Sequence, residues 1–190
     1  MAGTESVWSR RFFGAAIVQG GLVFVTMAIF LWLNLTAEPG QQPSRIVAGG
    51  SVGTWLLVGF TGYLILVVAV GLSAFFYHYV EVLRGSRYKG LNTLFAWAHL
   101  LFLNVGAIGA TWLMMYAGYI GGVHLLTSST LPPAVFGEVH ALIEWTIYPI
   151  AGFILLGALG GLLGGLGYIR AHFGWGVRQE TPMVRGIEAG

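Results

Sequence analysis

The chain contains no cysteine, and only 8% of its 190 residues are charged. The lack of cysteine excludes disulfides, thiolate-ligated metals, iron–sulfur clusters and the thioether attachment of a c-type haem. Hydrophobic residues make up 56% of the chain, and this composition lies outside the usual range of soluble domains. The sequence therefore predicts an integral membrane protein.

Four apolar stretches are each long enough to cross a hydrocarbon core, which takes about 20 helical residues. They cover approximately residues 13–34, 54–82, 92–119 and 139–169. No linker, composition shift or repeat divides residues 1–190, so we expect a single all-α domain, a transmembrane four-helix bundle. The first stretch is too long for the apolar region of a cleavable signal and is expected to remain as a membrane span.

Lysine and arginine alternate between the connecting loops. They cluster before the first stretch, between the second and third, and after the fourth, whereas the other two loops contain only Arg45. Because these residues are enriched in cytoplasmic loops, we expect a multi-pass plasma-membrane protein with both termini in the cytoplasm. The net charge of +2 then reflects topology and contacts with lipid headgroups. It does not indicate binding to nucleic acid.

Two histidines, His78 and His99, lie within the second and third stretches. Both are close to the predicted cytoplasmic ends of neighbouring antiparallel helices, at depths of about 6 Å and about 10 Å. Each has small residues on its helix face, so the pair can be interpreted as axial ligands of a b-type haem. The alternative is that each imidazole hydrogen-bonds to a neighbouring helix or to headgroups. The spacing leaves both interpretations open.

Three further polar residues, Asn104, His140 and Glu144, are candidates for a proton site or a quinone-headgroup site. His140 and Glu144 are four residues apart and share one helix face. Ionisable residues at bilayer depth cost about 2.5–3.5 kcal/mol, so they normally face protein, cofactor or water. The alternative is a packing contact, for example a hydrogen bond from the Asn104 amide to a neighbouring helix. No catalytic motif and no cluster of metal ligands is found, so neither a catalytic site nor a metal site is predicted.

The fourth stretch is rich in glycine. Gly157, Gly161 and Gly165 repeat at four-residue spacing, and Gly160 and Gly164 form a second register beside them. Such a face allows close helix–helix packing in the membrane, where glycine permits backbone contact. The partner is either another helix of this chain or another subunit, and the number of glycines favours another polypeptide.

The third stretch includes the segment AWAHLLFLNVGAIGATWLMMYAGYIGG. It resembles a late helix of subunit I in the haem-copper oxidase and nitric oxide reductase superfamily, over this span and its flanks only. The resemblance implies a small accessory protein beside a terminal oxidase, of the kind found in archaea. The adjacent histidines that hold copper in that family and the second histidine of its haem-binding helix are absent here. His99 is the only position onto which a family ligand can be placed.

Three functional hypotheses follow. The preferred one is a non-catalytic subunit of a respiratory electron-transfer complex, which contacts other membrane subunits and lipid and contributes to assembly and to a proton or quinone path. The second is a small electron carrier with haem b held by His78 and His99, exchanging electrons with quinol. The third is a small channel or transporter built around Asn104 and Glu144. On its own, the chain is not expected to be an enzyme.

Overall fold

The computed structural model describes residues 6–179, most of which are helical. The long helices are α1 (Val7–Thr36), α3 (Thr54–His78), α4 (Leu91–Thr127) and α5 (Ala134–His172), and a short helix, α2 (Pro43–Ala48), lies between α1 and α3. A 3₁₀ turn (Ser51–Gly53) leads into α3, and a π-helical turn (Tyr79–Leu83) extends it. Four helical segments are long and apolar enough to cross a membrane, so the predicted number of spans is confirmed.

Three of the long helices, α1, α4 and α5, begin and end beyond the predicted apolar stretches, whereas α3 begins at Thr54, as predicted. The largest difference is at the end of α4, which continues to Thr127. With 37 residues and a rise of about 1.5 Å per residue, α4 is longer than a hydrocarbon core is thick. Hydropathy detects only the part of a helix that lies in lipid, which explains why the prediction stopped early.

The four long helices form an open array in which α1, α3 and α4 pack together and α5 lies against α4. Contacts of α5 with α4 are far more extensive than its contacts with any other helix. The most deeply buried large side chains belong to the first group and include Phe12, Leu56 and Tyr63. One flank of α5 is therefore packed, and the remainder of its surface is exposed.

Close helix contacts depend on glycines of α4. A Cβ atom at Gly106 would collide with the backbone of Gly157 in α5. A Cβ atom at Gly118, about three turns further along α4, would collide with the backbone of Leu56 in α3. These two glycines let α4 approach both neighbours backbone to backbone, which is how membrane helices gain packing energy without a hydrophobic driving force.

Both described ends of the chain lie at the same end of the array as the α3–α4 loop. Strand β1 (Ser86–Tyr88) in that loop pairs antiparallel with strand β2 (Val177–Gln179) after α5. At the other described end, the Ser6 hydroxyl donates a hydrogen bond to Glu81 in the π-helical turn. This arrangement requires an even number of crossings. Which side of the membrane these ends occupy stays a prediction.

Asn92, at the start of α4, holds the segment after α5 in place. Its side-chain amide donates to the carbonyl oxygens of Trp175 and Gly176, and its oxygen accepts from Nε of Arg170 at 3.0 Å. Asn92 is fully buried, and all of these partners come from the end of α5 or beyond it. A single amide therefore connects the first turn of α4 to the segment after α5.

Candidate functional site

His99 of α4 contacts residues of the other three long helices. Its Nδ1 is 3.2 Å from the hydroxyl of Tyr77 in α3, and its ring centroid is 4.8 Å from that of Phe12 in α1. On the side of α5, a Cβ atom at Gly164 would overlap the imidazole. The imidazole is thus hydrogen-bonded to a neighbouring helix and occupies space that only a glycine leaves open.

A cavity of about 290 Å³ lies between α3 and α5, with His99 in its wall. It is lined by Ser73, Phe76, Tyr77, His99, Gly161, Gly164, Gly165 and Tyr168. Phe76, Gly161 and Gly165 are exposed on the outside of the array, so the cavity opens sideways, towards the lipid of a membrane. Within residues 6–179, Nε2 of His99 has no hydrogen-bond partner.

His78 does not share this cavity. Its side chain is exposed, and it lines a separate cavity with residues of α1 and its N-cap, including Ser6, Ser9 and Arg10. Consecutive helical residues point about 100° apart, and Tyr77 is the residue of this pair that faces His99. The predicted depths of the two histidines do not set the rotation of each helix about its axis, and this rotation decides which side chain faces His99.

The residues present therefore do not fit a bis-histidine haem. That ligation requires both imidazoles to face one iron, whereas the structure places them in different cavities. The ring of His99 is also packed against Gly164 and Phe12. The interpretation of His99 as a side chain that bonds to a neighbouring helix accounts for this geometry, and the haem hypothesis has no support from it.

Glu81 is a buried acid that the sequence analysis missed. Only 4% of its surface is exposed, and one carboxylate oxygen accepts from the Ser6 hydroxyl and from the backbone N–H of Trp8 at 3.2 Å. It lies in the π-helical turn, a distortion that often occurs at functional sites. The signal available in the sequence was an isolated acid between Val80 and Val82, at the edge of an otherwise basic loop.

Tyr88, between α3 and α4, extends this cluster. Its ring is 5.2 Å from that of Tyr77, and its hydroxyl is buried without a hydrogen-bond partner in the described structure. Burial raises the pKa of Tyr88, and the negative charge of Glu81 raises it further. The phenol therefore stays protonated and places an unused donor beside Tyr77.

Asn104 belongs to a second polar group, deeper in the array. The side-chain oxygen of Asn104 accepts a hydrogen bond from Nε2 of Gln19 in α1 at 3.2 Å. The side-chain oxygen of Gln19 in turn accepts a hydrogen bond from the Tyr63 hydroxyl at 2.7 Å. The Asn104 amide nitrogen donates to its own helix, at the Leu100 carbonyl. The amide thus bonds across to a neighbouring helix, as the packing alternative expected. Gln19 was missed, although a glutamine inside an apolar stretch was a visible signal.

His140 and Glu144 lie apart from both polar groups. They share an exposed face of α5, and neither makes a hydrogen bond to another residue of the described chain. Apolar neighbours on this helix are also exposed, including Tyr148, with 82% of its surface accessible. The predicted combination of Asn104, His140 and Glu144 in one proton site is therefore not assembled within this chain.

The five glycines of α5 divide into two sets. Gly157, Gly160 and Gly164 pack against α4, whereas Gly161 and Gly165 have no atoms within 4 Å of a Cβ position. The four-residue register 157–161–165 is thus not the packing register. Packing follows 157–160–164 because spacings of three and four alternate along one face of a helix with 3.6 residues per turn. Two of the five glycines remain open to another molecule.

The fold and the polar groups define a class: a multi-pass helical membrane protein with a hydrogen-bonded interior and an edge helix, α5, that packs mainly against α4. Comparisons with family models, curated proteins and solved structures find no match for this chain. Within residues 6–179 there is no cluster of three or more residues able to hold a metal ion. Its function must be inferred from its own residues.

Proposed function

We propose that the protein is a non-catalytic subunit of a respiratory electron-transfer complex of the haem-copper oxidase type. It is a plasma-membrane protein with both termini in the cytoplasm, and it joins its partner through α5. The observation that carries this proposal is the exposed face of α5 that bears His140 and Glu144. The proposed role is in the assembly of the complex, so no catalytic residue is assigned.

Glu144 is an ionisable side chain on the exposed face of α5. An ionisable side chain that faces hydrocarbon costs about 2.5–3.5 kcal/mol on insertion scales, and such residues normally face protein or water. Glu144 lies about 15 Å along α5 from its first residue, with exposed Leu142 and Ile147 on either side. A partner helix that covers this face and hydrogen-bonds to His140 and Glu144 removes the cost.

The position of α5 at the edge of the array supports the same proposal. This helix contacts mainly α4, so a second polypeptide can reach its exposed face without displacing any part of this chain. Because α5 is long and apolar enough to cross a membrane, this face favours a partner within the membrane over a partner in solution.

The respiratory assignment rests on the sequence of α4. The segment that resembles subunit I of haem-copper oxidases lies within this helix, which is the central element of the array. The single histidine of the segment, His99, is hydrogen-bonded to Tyr77, and the copper-binding histidines of the family are absent. A chain with this helix but without the ligands fits a supporting subunit beside an oxidase.

The test is purification of the tagged chain from native membranes in a mild detergent. We expect it to co-purify with a haem-containing complex that takes up oxygen, recognised by its reduced-minus-oxidised spectrum. Glu144→Leu should lower the yield of this complex while leaving the chain inserted and folded, whereas Glu38→Gln, at an exposed loop position, should not. Purification of the chain without haem-containing partners, or equal yields with both variants, would contradict the proposal.

A further inference from the structure

One polar atom in the lateral cavity has no partner in the described structure. His99 lines the cavity, and its Nδ1 is held by the Tyr77 hydroxyl at 3.2 Å, which fixes the orientation of the ring. Gly164 leaves the space that the imidazole occupies, next to Nδ1, Cγ and Cε1. The remaining nitrogen, Nε2, is therefore held in a defined position and is free to bond to a ligand.

We propose that this cavity binds a lipid-soluble molecule with a carbonyl or hydroxyl oxygen on a flat ring, of the quinone and quinol class. The ring lies between α3 and α5, its oxygen bonds to Nε2 of His99, and its apolar tail remains in the lipid. This proposal goes beyond assembly, because the cavity is formed by this chain alone. Binding therefore does not require the partner subunit.

The walls of the cavity suit a flat apolar ring. Phe76 and Tyr168 form one wall, with their ring centroids 5.5 Å apart in an edge-to-face arrangement. Gly161 and Gly165 contribute backbone without side chains. The volume of about 290 Å³ is at the lower end of ligand pockets, so it accommodates a headgroup and leaves a long tail outside. The sideways opening gives access from the bilayer.

The Tyr77–His99 pair can bond to either form of the ligand. When the Tyr77 hydroxyl donates to Nδ1, the imidazole proton is on Nε2 and can be donated to a carbonyl oxygen. When Nδ1 carries the proton and donates to Tyr77, Nε2 accepts from a ligand hydroxyl. The same side chains therefore match the quinone and the quinol. No electron transfer by this chain is implied.

The test uses the full chain in phosphatidylcholine vesicles and a decyl-benzoquinone that carries a photoreactive azide. We expect saturable labelling of peptides from α3 and α5 that line the cavity. Unlabelled decyl-benzoquinone should compete. Decylbenzene, which has no oxygen and cannot accept or donate a hydrogen bond, should compete at least about tenfold less well, because a hydrogen bond in an apolar pocket accounts for about that factor.

Two glycine variants separate the cavity from the general lipid surface. Gly161→Leu places a side chain in the cavity, and Gly152→Leu places the same side chain on the same helix away from it. Both positions have free space around them, so both variants should fold. Labelling should fall at least about tenfold only in Gly161→Leu. Equal labelling in the two variants, labelling that does not saturate, or equal competition by decylbenzene would overturn the proposal, since lipid chains behave in that way.

A pair of substitutions at His99 tests the hydrogen bond itself. His99→Gln keeps an N–H donor of similar reach and should retain saturable labelling. His99→Leu removes the donor and should weaken labelling by about tenfold or more. If His99→Leu folds and binds the quinone as well as His99→Gln does, Nε2 is not the contact and the proposal is wrong.

Discussion

At the scale of single residues, His99 and Gly164 depend on each other. An alanine Cβ at position 164 would overlap the imidazole, so the ring must move away from Tyr77. We expect Gly164→Ala to lower the free energy of unfolding by about 1–3 kcal/mol, the usual cost of overpacking. Denaturation in detergent micelles measures this change in the free energy of unfolding.

Two comparisons make this prediction specific. Gly165→Ala adds the same methyl group beside open space and should cost nothing measurable. His99→Ala should cancel part of the loss in the Gly164→Ala background, because residues in contact do not act additively. A loss that is the same with and without the imidazole would show that the two residues are not coupled.

Glu81 is the second residue at which we predict the effect of a substitution. Replacement by leucine leaves the Ser6 hydroxyl and the Trp8 N–H without their acceptor, and an unsatisfied buried polar group costs about 1–3 kcal/mol. Amide exchange in the first turn of α1 should therefore become faster in Glu81→Leu. Glu81→Gln, which keeps an acceptor oxygen, should show a smaller change.

The control for Glu81 is Glu38→Leu, at an exposed loop position. It removes a carboxylate without removing a buried acceptor, so exchange in the first turn of α1 should be unchanged. Equal acceleration by both leucine variants would mean that the loss of negative charge, and not the loss of hydrogen bonds, is responsible.

At the scale of helices, Gln19 connects α1 to both α3 and α4. Tyr63→Phe removes the hydroxyl that donates to Gln19 but leaves the Gln19–Asn104 bond in place. We expect a loss of about 0.6 kcal/mol in unfolding free energy, the average for a side-chain hydrogen bond between membrane helices. Tyr148→Phe, at a position 82% exposed, should have no effect. A loss well above about 2 kcal/mol would indicate that the whole polar group collapses as a unit.

At the scale of the whole molecule, the untested question is orientation. The chain has no cysteine, so single cysteines can be introduced without background. Ser44→Cys and Ser129→Cys, at exposed positions in the α1–α3 and α4–α5 connections, should react with an impermeant maleimide on intact cells. Lys89→Cys, exposed in the α3–α4 loop, should react only after the membrane is opened. The reverse pattern would place both termini outside.

Some features of the structure could be predicted from the sequence, whereas others depended on how the helices pack against each other. Four spans were predictable because hydropathy and length depend on composition along one helix. The contact of Asn104 with another helix was expected, but its partner Gln19 was not, because pairing depends on the mutual rotation of α1 and α4. For the same reason the sequence left two interpretations of His78 and His99 open, and in the structure it is Tyr77 that faces His99.

The sequence by itself determined that this is a membrane protein with four long helices, since lipid requires each crossing segment to satisfy its own backbone hydrogen bonds. It also determined that α5 has room for close contacts, because glycine spacing can be read directly. Only the tertiary structure decided which glycines pack on α4 and which line a cavity, and which of two neighbouring side chains meets His99. Those choices depend on the rotation and tilt of one helix against another, which arise from packing among all the helices together.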